Sequence, residues 1–188
     1  MRVPFDDLRT SLASSPDPDQ ADTTDQTPSA ILLPILPAPS GDRILFVQRP
    51  KSMSKHPGEI AFPGGRVDPE DSGLIGTATR ELQEELGIQP HLVEILGHLL
   101  PQQTLTSGFI IYPVVGKLDQ KTVCTPNPEE VDEVLEIPID DLLLPDAQRW
   151  SRFDLPEGTI RSPYYPWEGR TIWGATGRIL ADLLNLLA

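Results

Sequence analysis

Apolar residues in this chain fall into two rhythms, one suited to strands and one to helices. Residues 30–36 and 43–48 are apolar or β-branched runs flanking Pro37-Ala38-Pro39-Ser40-Gly41-Asp42, a hairpin signal. Residues 92–100 and 109–118, dense in Leu, Ile and Val, predict two further strands, and 131–137 predicts another that Pro138 stops. The helical rhythm shows in Ile75, Ala78, Leu82 and Leu86. It returns in Ile179, Leu180, Leu183, Leu184 and Leu187, which give residues 175–187 one apolar face. Residues 139–144 suit a short helix. Near the start, Phe5, Leu8 and Leu12 follow Pro4 at helical spacing and predict a short docking helix. Strands interspersed with separated helices predict an α/β layered domain.

The polar positions divide the chain. Residues 14–28, SSPDPDQADTTDQTP, contain one alanine and no larger apolar side chain, too little to order themselves by burial. The expected organisation is an N-terminal arm over residues 1–29, a short helix followed by an acidic flexible linker, and a single domain over 30–188. The formal net charge is −13, of which residues 1–28 carry −4. Such a balance argues against a nucleic-acid-binding surface and against anionic membranes. Cys124 is the only cysteine, so no intrachain disulfide forms, and its neighbours in TVCTPNP offer no base to activate a thiol. No apolar run approaches membrane-spanning length, and Asp6, Asp7 and Arg9 stand where a secretory signal would be apolar. A cytoplasmic protein is expected.

Candidate chemistry lies in residues 64–88, GGRVDPEDSGLIGTATRELQEELGI. Glu81, Glu84 and Glu85 stand at i, i+3 and i+4, so a helix gathers three carboxylates on one face over about one turn. The Glu81/Glu85 repulsion alone costs a helix roughly 0.2–0.5 kcal/mol, and a cation between the carboxylates turns that cost into a binding site. Mg²⁺, a hard ion that takes carboxylates together with substrate phosphates, is the natural candidate. A glutamate-rich stretch taken alone is more often a solvated face. Its surroundings favour a site instead: Ile75, Ala78, Leu82 and Leu86 dock the opposite face, and Arg80 lies four residues before Glu84, within reach of its carboxylate. Gly87 followed by Ile88 fits a left-handed helix cap. Asp68 is expected as N-cap with Pro69 at the first helical position, and Ser72-Gly73 as an interruption or restart. Gly64 and Gly65 supply a turn without side-chain bulk, leaving a carbonyl free to approach an ion. His91 and His98 lack a second ligand at metal spacing and read as structural.

This constellation resembles the Nudix box, G-x5-E-x7-R-E-U-x-E-E-x-G-U with U a bulky aliphatic residue. Arg80, Glu81, Leu82, Glu84, Glu85, Gly87 and Ile88 occupy their places in its second half. In the first half Asp71 stands for Glu, and eight residues rather than seven separate it from Arg80. The resemblance implies an α/β/α sandwich with a mixed β-sheet, Mg²⁺ or Mn²⁺ ions, and cleavage of a nucleoside diphosphate linked to another moiety. On that footing Glu84, Glu85 and the Gly65 carbonyl are expected as metal ligands, Glu81 as a third ligand or the base, and Arg80 as the residue that orients the carboxylates.

Residues 45–65 resemble the signature of the coenzyme A pyrophosphatases within that superfamily, L-L-T-x-R-S-x3-R-x3-G-x3-F-P-G-G. Leu45, Arg49, Gly58, Phe62, Pro63, Gly64 and Gly65 match, whereas Phe46, Val47, Pro50 and Ser54 depart. Lys55 stands beside the missing second arginine and His56 follows it. Arg49, Lys55, His56 and Gly64 are the expected substrate-binding residues, and the resemblance implies a coenzyme A-like nucleotide cleaved to 3′,5′-ADP and 4′-phosphopantetheine. Residues 127–134 and 172–176, NPEEVDEV and IWGAT, resemble the same branch. Glu130 or Glu133 is a further ligand or base on that reading, and Trp173 is expected in the core. ADP-ribose, NADH and dinucleoside polyphosphates are the alternative substrates. A nucleotide-binding protein without activity is the alternative of another class, against which the three intact carboxylates speak. A homodimer is compatible with such a domain.

Overall fold

The computed structural model describes residues 1–13, 26–53, 56–104, 107–155 and 158–188. Most of the expected acidic linker, and the positions Ser54 and Lys55, lie outside the described residues. In chain order the elements are α1 (Phe5–Ala13), β1 (Thr27–Leu36), β2 (Arg43–Gln48), β3 (Ile60–Ala61), β4 (Gly64–Arg66) and α2 (Gly73–Leu86). They continue as β5 (Val93–His98), β6 (Gln102–Gln103), β7 (Phe109–Leu118), β8 (Glu133–Pro138) and α3 (Ile139–Leu142). The chain closes with β9 (Arg149–Leu155), β10 (Gly158–Trp167), β11 (Arg170–Ile172) and α4 (Gly174–Leu187).

β1 organises the main sheet, whose strand order is β3-β2-β1-β7-β5 with β4, β6 and β8 attached to β1, β7 and β2. It runs parallel to β7 from Thr27↔Phe109 to Ile35↔Lys117 and antiparallel to both β4 and β2, which makes the sheet mixed. β4 pairs with Ser29 to Ile31 and β2 with Ile35 and Leu36, so Pro34, which lacks an N–H, falls between the two partners. Alternate side chains of β1 and β2 enter different cores. Ala30, Leu32, Leu45 and Val47 pack with Leu74, Ala78, Leu82 and Leu86 of α2. Leu33, Ile35, Ile44 and Phe46 pack with Leu8 and Leu12 of α1 and with Ile179, Leu180 and Leu183 of α4. A sheet covered on both faces needs near-continuous apolar strands, as residues 30–36 supply. The result is an α/β/α sandwich, and no helix is long and apolar enough to cross a membrane among the described residues.

Three expectations are corrected. The segment from Asp68 does not start the helix: Asp68 accepts the Glu70 amide on its side chain and the Asp71 amide on its carbonyl, which closes a turn. Gly73, at φ 78°, then breaks continuity, and α2 begins there with Ser72 as N-cap. Ile75 is 48% exposed, and the buried stripe instead runs through Leu74, four residues before Ala78. Trp173 is 42% exposed, stacked at 6.2 Å on Phe153 rather than packed in the core. The sheet β11-β10-β9 was not foreseen; its strands mix Arg, Ser and Pro with aromatics and show no period of two.

Candidate active site

α2 delivers the glutamates, and its own packing sets how each is exposed. Leu74, Ala78, Leu82 and Leu86 are buried at steps of four, and Gly87 ends the helix at φ 68° with its N–H on the Gln83 carbonyl. Ile88 folds back into the core. Glu85 lies on the edge of this stripe and is only 3% exposed, Glu81 is largely buried, and the Glu84 side chain is 51% exposed. The three carboxylates therefore do not share one solvated face. They form a gradient from the core outward.

The Gly64-Gly65 strand meets the buried end of that gradient. The Gly64 N–H donates to Glu85 Oε2 at 3.2 Å. A β-carbon on Gly65 would stand 2.3 Å from Glu81 Oε1, and one on Gly64 would stand 2.5 Å from the Ala30 carbonyl oxygen. Glycine is required at both places for different reasons. At 64 the backbone of β1 leaves no room and φ is 157°; at 65 the space is filled by the Glu81 carboxylate itself.

Arg80 ties the outer carboxylates together. Its Nε and Nη2 donate to the two oxygens of Asp71 at 2.8 and 3.1 Å. Nη1 donates to Glu81 at 2.9 Å and to Glu84 at 2.8 Å, and Nη2 also reaches the Arg66 carbonyl at 3.1 Å. Asp71, whose place was open in the sequence, is thus the bidentate partner of Arg80, and the extra residue before the helix is taken up in the turn at 68–72. The Arg80 guanidinium beside it holds the Asp71 carboxyl well below the usual carboxylate range, helped by hydrogen bonds from the Asp68 amide and the Thr77 hydroxyl. Asp71 and Glu81 in turn push Arg80 up.

Burial pushes the Glu85 carboxyl up to about 8, and the neighbouring Glu81 adds to the shift. Glu81 is raised as well, again first by burial, although Arg80 opposes it. Glu130 raises both, so of the two downstream candidates it is the one facing the site. The loop carrying it is held on the end of α2 by the Asn127 amide on the Glu85 carbonyl at 2.8 Å and the Thr125 amide on that of Leu86 at 2.7 Å. Glu133 is instead ion-paired with Arg170. No three carboxylate, imidazole or thiol groups stand ready to enclose a metal ion among the described residues. Glu81 and Glu85 nevertheless fit a hard divalent cation: burial disfavours the charge of both carboxylates, and an ion between them supplies the positive charge that offsets it.

Gly64 and Gly65 also line a cavity of about 250 Å³ on the α4 side of the sheet. Ser29, Ile31, Phe109, Ile111, Thr176 and Ile179 form its apolar and hydroxyl walls, and Arg49 and Arg66 bring charge to it. The buried Arg49 Nε has no hydrogen-bond partner among the described residues, and Arg49 draws the Glu85 carboxyl down, opposing burial. Arg66 lies over the Phe109 ring, 5.0 Å from its centre. Arg49 and Gly64 are the expected substrate residues found here. His56 stands outside the lining, exposed and 2.9 Å from Glu59, while Lys55 lies outside the described residues. Arg66, Phe109 and Thr176 were not foreseen. Arg66 follows the paired glycines directly, a signal that was there to read; the others arrive from β7 and α4 only on folding.

Comparison with known proteins accords with this geometry. Residues 27–155 match the family model described as the NUDIX domain. An uncharacterized Nudix hydrolase NudL of Yersinia enterocolitica is 38% identical over 157 residues, which cover 82% of this chain and 78% of the relative. A MutT/nudix family protein from Enterococcus faecalis superposes with a TM-score of 0.62 at 14% identity, covering 94% of this chain and 66% of that one. A C. elegans Ap4A hydrolase in a binary complex does so with a TM-score of 0.52 at 20% identity, covering 62% and 83%.

Proposed function

The chain belongs to the Nudix family of hydrolases, and from that premise we propose that it cleaves the diphosphate of coenzyme A or of an acyl-CoA. The family's enzymes act on nucleoside diphosphate derivatives and are generally dependent on a divalent metal. Water adds to one phosphorus, the bridging P–O bond breaks, and the products are 3′,5′-ADP and 4′-phosphopantetheine. The observation that carries the reading is Arg49: at the signature's arginine position, its guanidinium borders the cavity at Gly64-Gly65, on the other side of which lie Glu81 and Glu85.

Glu81 and Glu85, with the Gly65 carbonyl, would hold Mg²⁺ or Mn²⁺. When bound, the ion neutralises phosphate charge and lets water ionise near neutral pH. Arg49, whose buried Nε has no partner among the described residues, would bind a phosphate oxygen and offset the charge that the glutamates otherwise set against the substrate. Arg80 fixes the Glu81 and Glu84 rotamers, and Asp71 fixes Arg80. Glu84, exposed and already bonded, has more the position of an outer ligand than of a base, and Glu130 stands as the additional acceptor for a proton from water.

The departures at Pro50 and Ser54 favour a second reading, hydrolysis of ADP-ribose, NADH or a dinucleoside polyphosphate. A hydrolysis panel with Mg²⁺ and Mn²⁺ over coenzyme A, its acyl forms and these three substrates separates the two. The expected result is the highest kcat/KM on a coenzyme A form; a higher value on any of the others refutes the first reading.

A further inference from the structure

The cavity beside the paired glycines is lined by two arginines, Arg49 and Arg66. Arg49 stands near Glu85, whose carboxyl it draws down, and so belongs to the diphosphate end. Arg66 stands with Phe109, where β4 and β7 flank the start of β1: Arg66 pairs with Ser29 and Phe109 with Thr27. Gly64, whose N–H meets Glu85, pairs with Ile31, two residues further along, so roughly 7 Å of strand separates it from Arg66. Among the described residues neither arginine forms an ion pair and no acidic side chain lines the cavity, in a chain of net charge −13. The Arg66 backbone is pinned by its carbonyl on Arg80 and its pairing with β1, so its head group lies on the Phe109 ring.

A volume of about 250 Å³ is below that of a pocket for a whole drug-sized ligand, and suits a phosphorylated ribose. A diphosphate held at the glycine end accounts for Arg49 and leaves Arg66 without an anion. A phosphate monoester, with close to two negative charges and three terminal oxygens, is what a planar guanidinium fork accepts bidentately. We infer that Arg66 is a specificity-determining residue: it binds a phosphate monoester on the substrate's ribose, outside the diphosphate that is cleaved, with Phe109 offering the attached nucleoside an apolar face. The inference rests on the proposed reading of the site as the nucleotide pocket of a hydrolase. It extends that reading to the class of nucleotide, one carrying a ribose phosphate in addition to its diphosphate.

Binding without turnover tests it. The metal-free protein is titrated calorimetrically with adenosine 5′-monophosphate, adenosine 3′,5′-bisphosphate and adenosine 2′,5′-bisphosphate. Wild type is expected to bind one bisphosphate at least tenfold more tightly than the monophosphate, and Arg66→Ala to bring that advantage below threefold. Arg49→Ala is expected to weaken all three ligands alike. Preference for the 3′,5′ isomer points to coenzyme A-like substrates, and for the 2′,5′ isomer to phosphorylated nicotinamide dinucleotides. No preference in wild type, or a preference that survives in Arg66→Ala, overturns the inference. Arg66 is exposed, so its replacement leaves the core intact. Failure of the hydrolytic reading is a separate result: the bisphosphate pattern holds while no coenzyme A form is cleaved.

Discussion

On the proposed assignment of the site, replacing Gly65 by alanine should separate catalysis from folding. The new methyl group would lie 2.3 Å from Glu81 Oε1, 2.4 Å from its Cδ and 2.7 Å from Oε2. Ordinary contact at a β-carbon begins near 3.4 Å, so the carboxylate must withdraw by about 1 Å, and its 2.9 Å bond to Arg80 goes with it. A displacement of about 1 Å in a positioned catalytic group lowers rate on the order of a hundredfold. Stability follows a different course, because what moves is the free end of a side chain and Gly65 is not among the residues at positive φ. The alanine restricts the unfolded chain, worth about 0.4–1 kcal/mol in its favour, against one lost contact of similar size. Melting should therefore shift by no more than about 3 °C, at about 2–4 °C per kcal/mol for a domain of this size. Steady-state kcat/KM on the best substrate of the panel, paired with calorimetric melting, reads both quantities. Gly64→Ala is the contrast: its methyl meets β1 backbone at 2.5 and 2.6 Å, so folding itself suffers. If Gly65→Ala keeps more than about a third of wild-type kcat/KM, Glu81 does not act from its present position and the assignment of the site fails.

If Glu81 and Glu85 hold the metal as proposed, metal binding should depend on pH. Glu85 titrates near 8 in the metal-free protein, so below that pH an ion must displace its proton. Mn²⁺ affinity should rise about tenfold per pH unit between about 5.5 and 7.5, with about one proton released in titrations compared across buffers of different ionisation heat; a flat profile refutes the pairing. The same shift acts on stability with a definite sign. A carboxyl raised above its unfolded value holds more protons when folded, so its contribution is present below about 4.5 and is lost as pH rises through about 8. Metal-free protein should lose stability over that interval, and saturating Mn²⁺ should reverse the loss. At Asp71, replacement by asparagine leaves the Arg80 fork half matched. It should cost about 1–3 kcal/mol in denaturant unfolding and lower kcat about tenfold, with KM little changed because Asp71 acts through Arg80; a change confined to KM would refute that role. Asp71 is shifted the other way, so its contribution is present above about 3.8 and is lost only as pH falls below the usual carboxylate range.

Local chemistry was legible from the residues alone. The strands at 43–48 and 109–118 fall where their apolar runs do, and α4 buries the five side chains its periodicity named. Gly87 caps α2 in the left-handed conformation that its position after the last apolar residue implied. These are features whose cause lies within a few residues: hydrophobic period, a glycine's freedom, a turn residue. The helix starts four residues later than expected because Asp68-Pro69 satisfies a turn as readily as an N-cap, and only the conformation of Gly73 decides between them.

The order of exposure along Glu84, Glu81 and Glu85 was beyond the sequence, since spacing puts three carboxylates near one another without saying which of them meets β1. Docking of α2 by Leu74, Ala78 and Leu82 turns Glu85 toward the core, and that burial, not its charge alone, raises its carboxyl. The cavity was equally out of reach. Arg49, Arg66, Phe109 and Thr176 come from four distant segments, which meet because β1 takes β4 and β7 as neighbours at its first residues. The sequence by itself determined the chemical groups and their local spacing, because those depend on covalent order. The tertiary structure decided which groups are desolvated and which face one another, because burial and long-range pairing belong to the whole sheet.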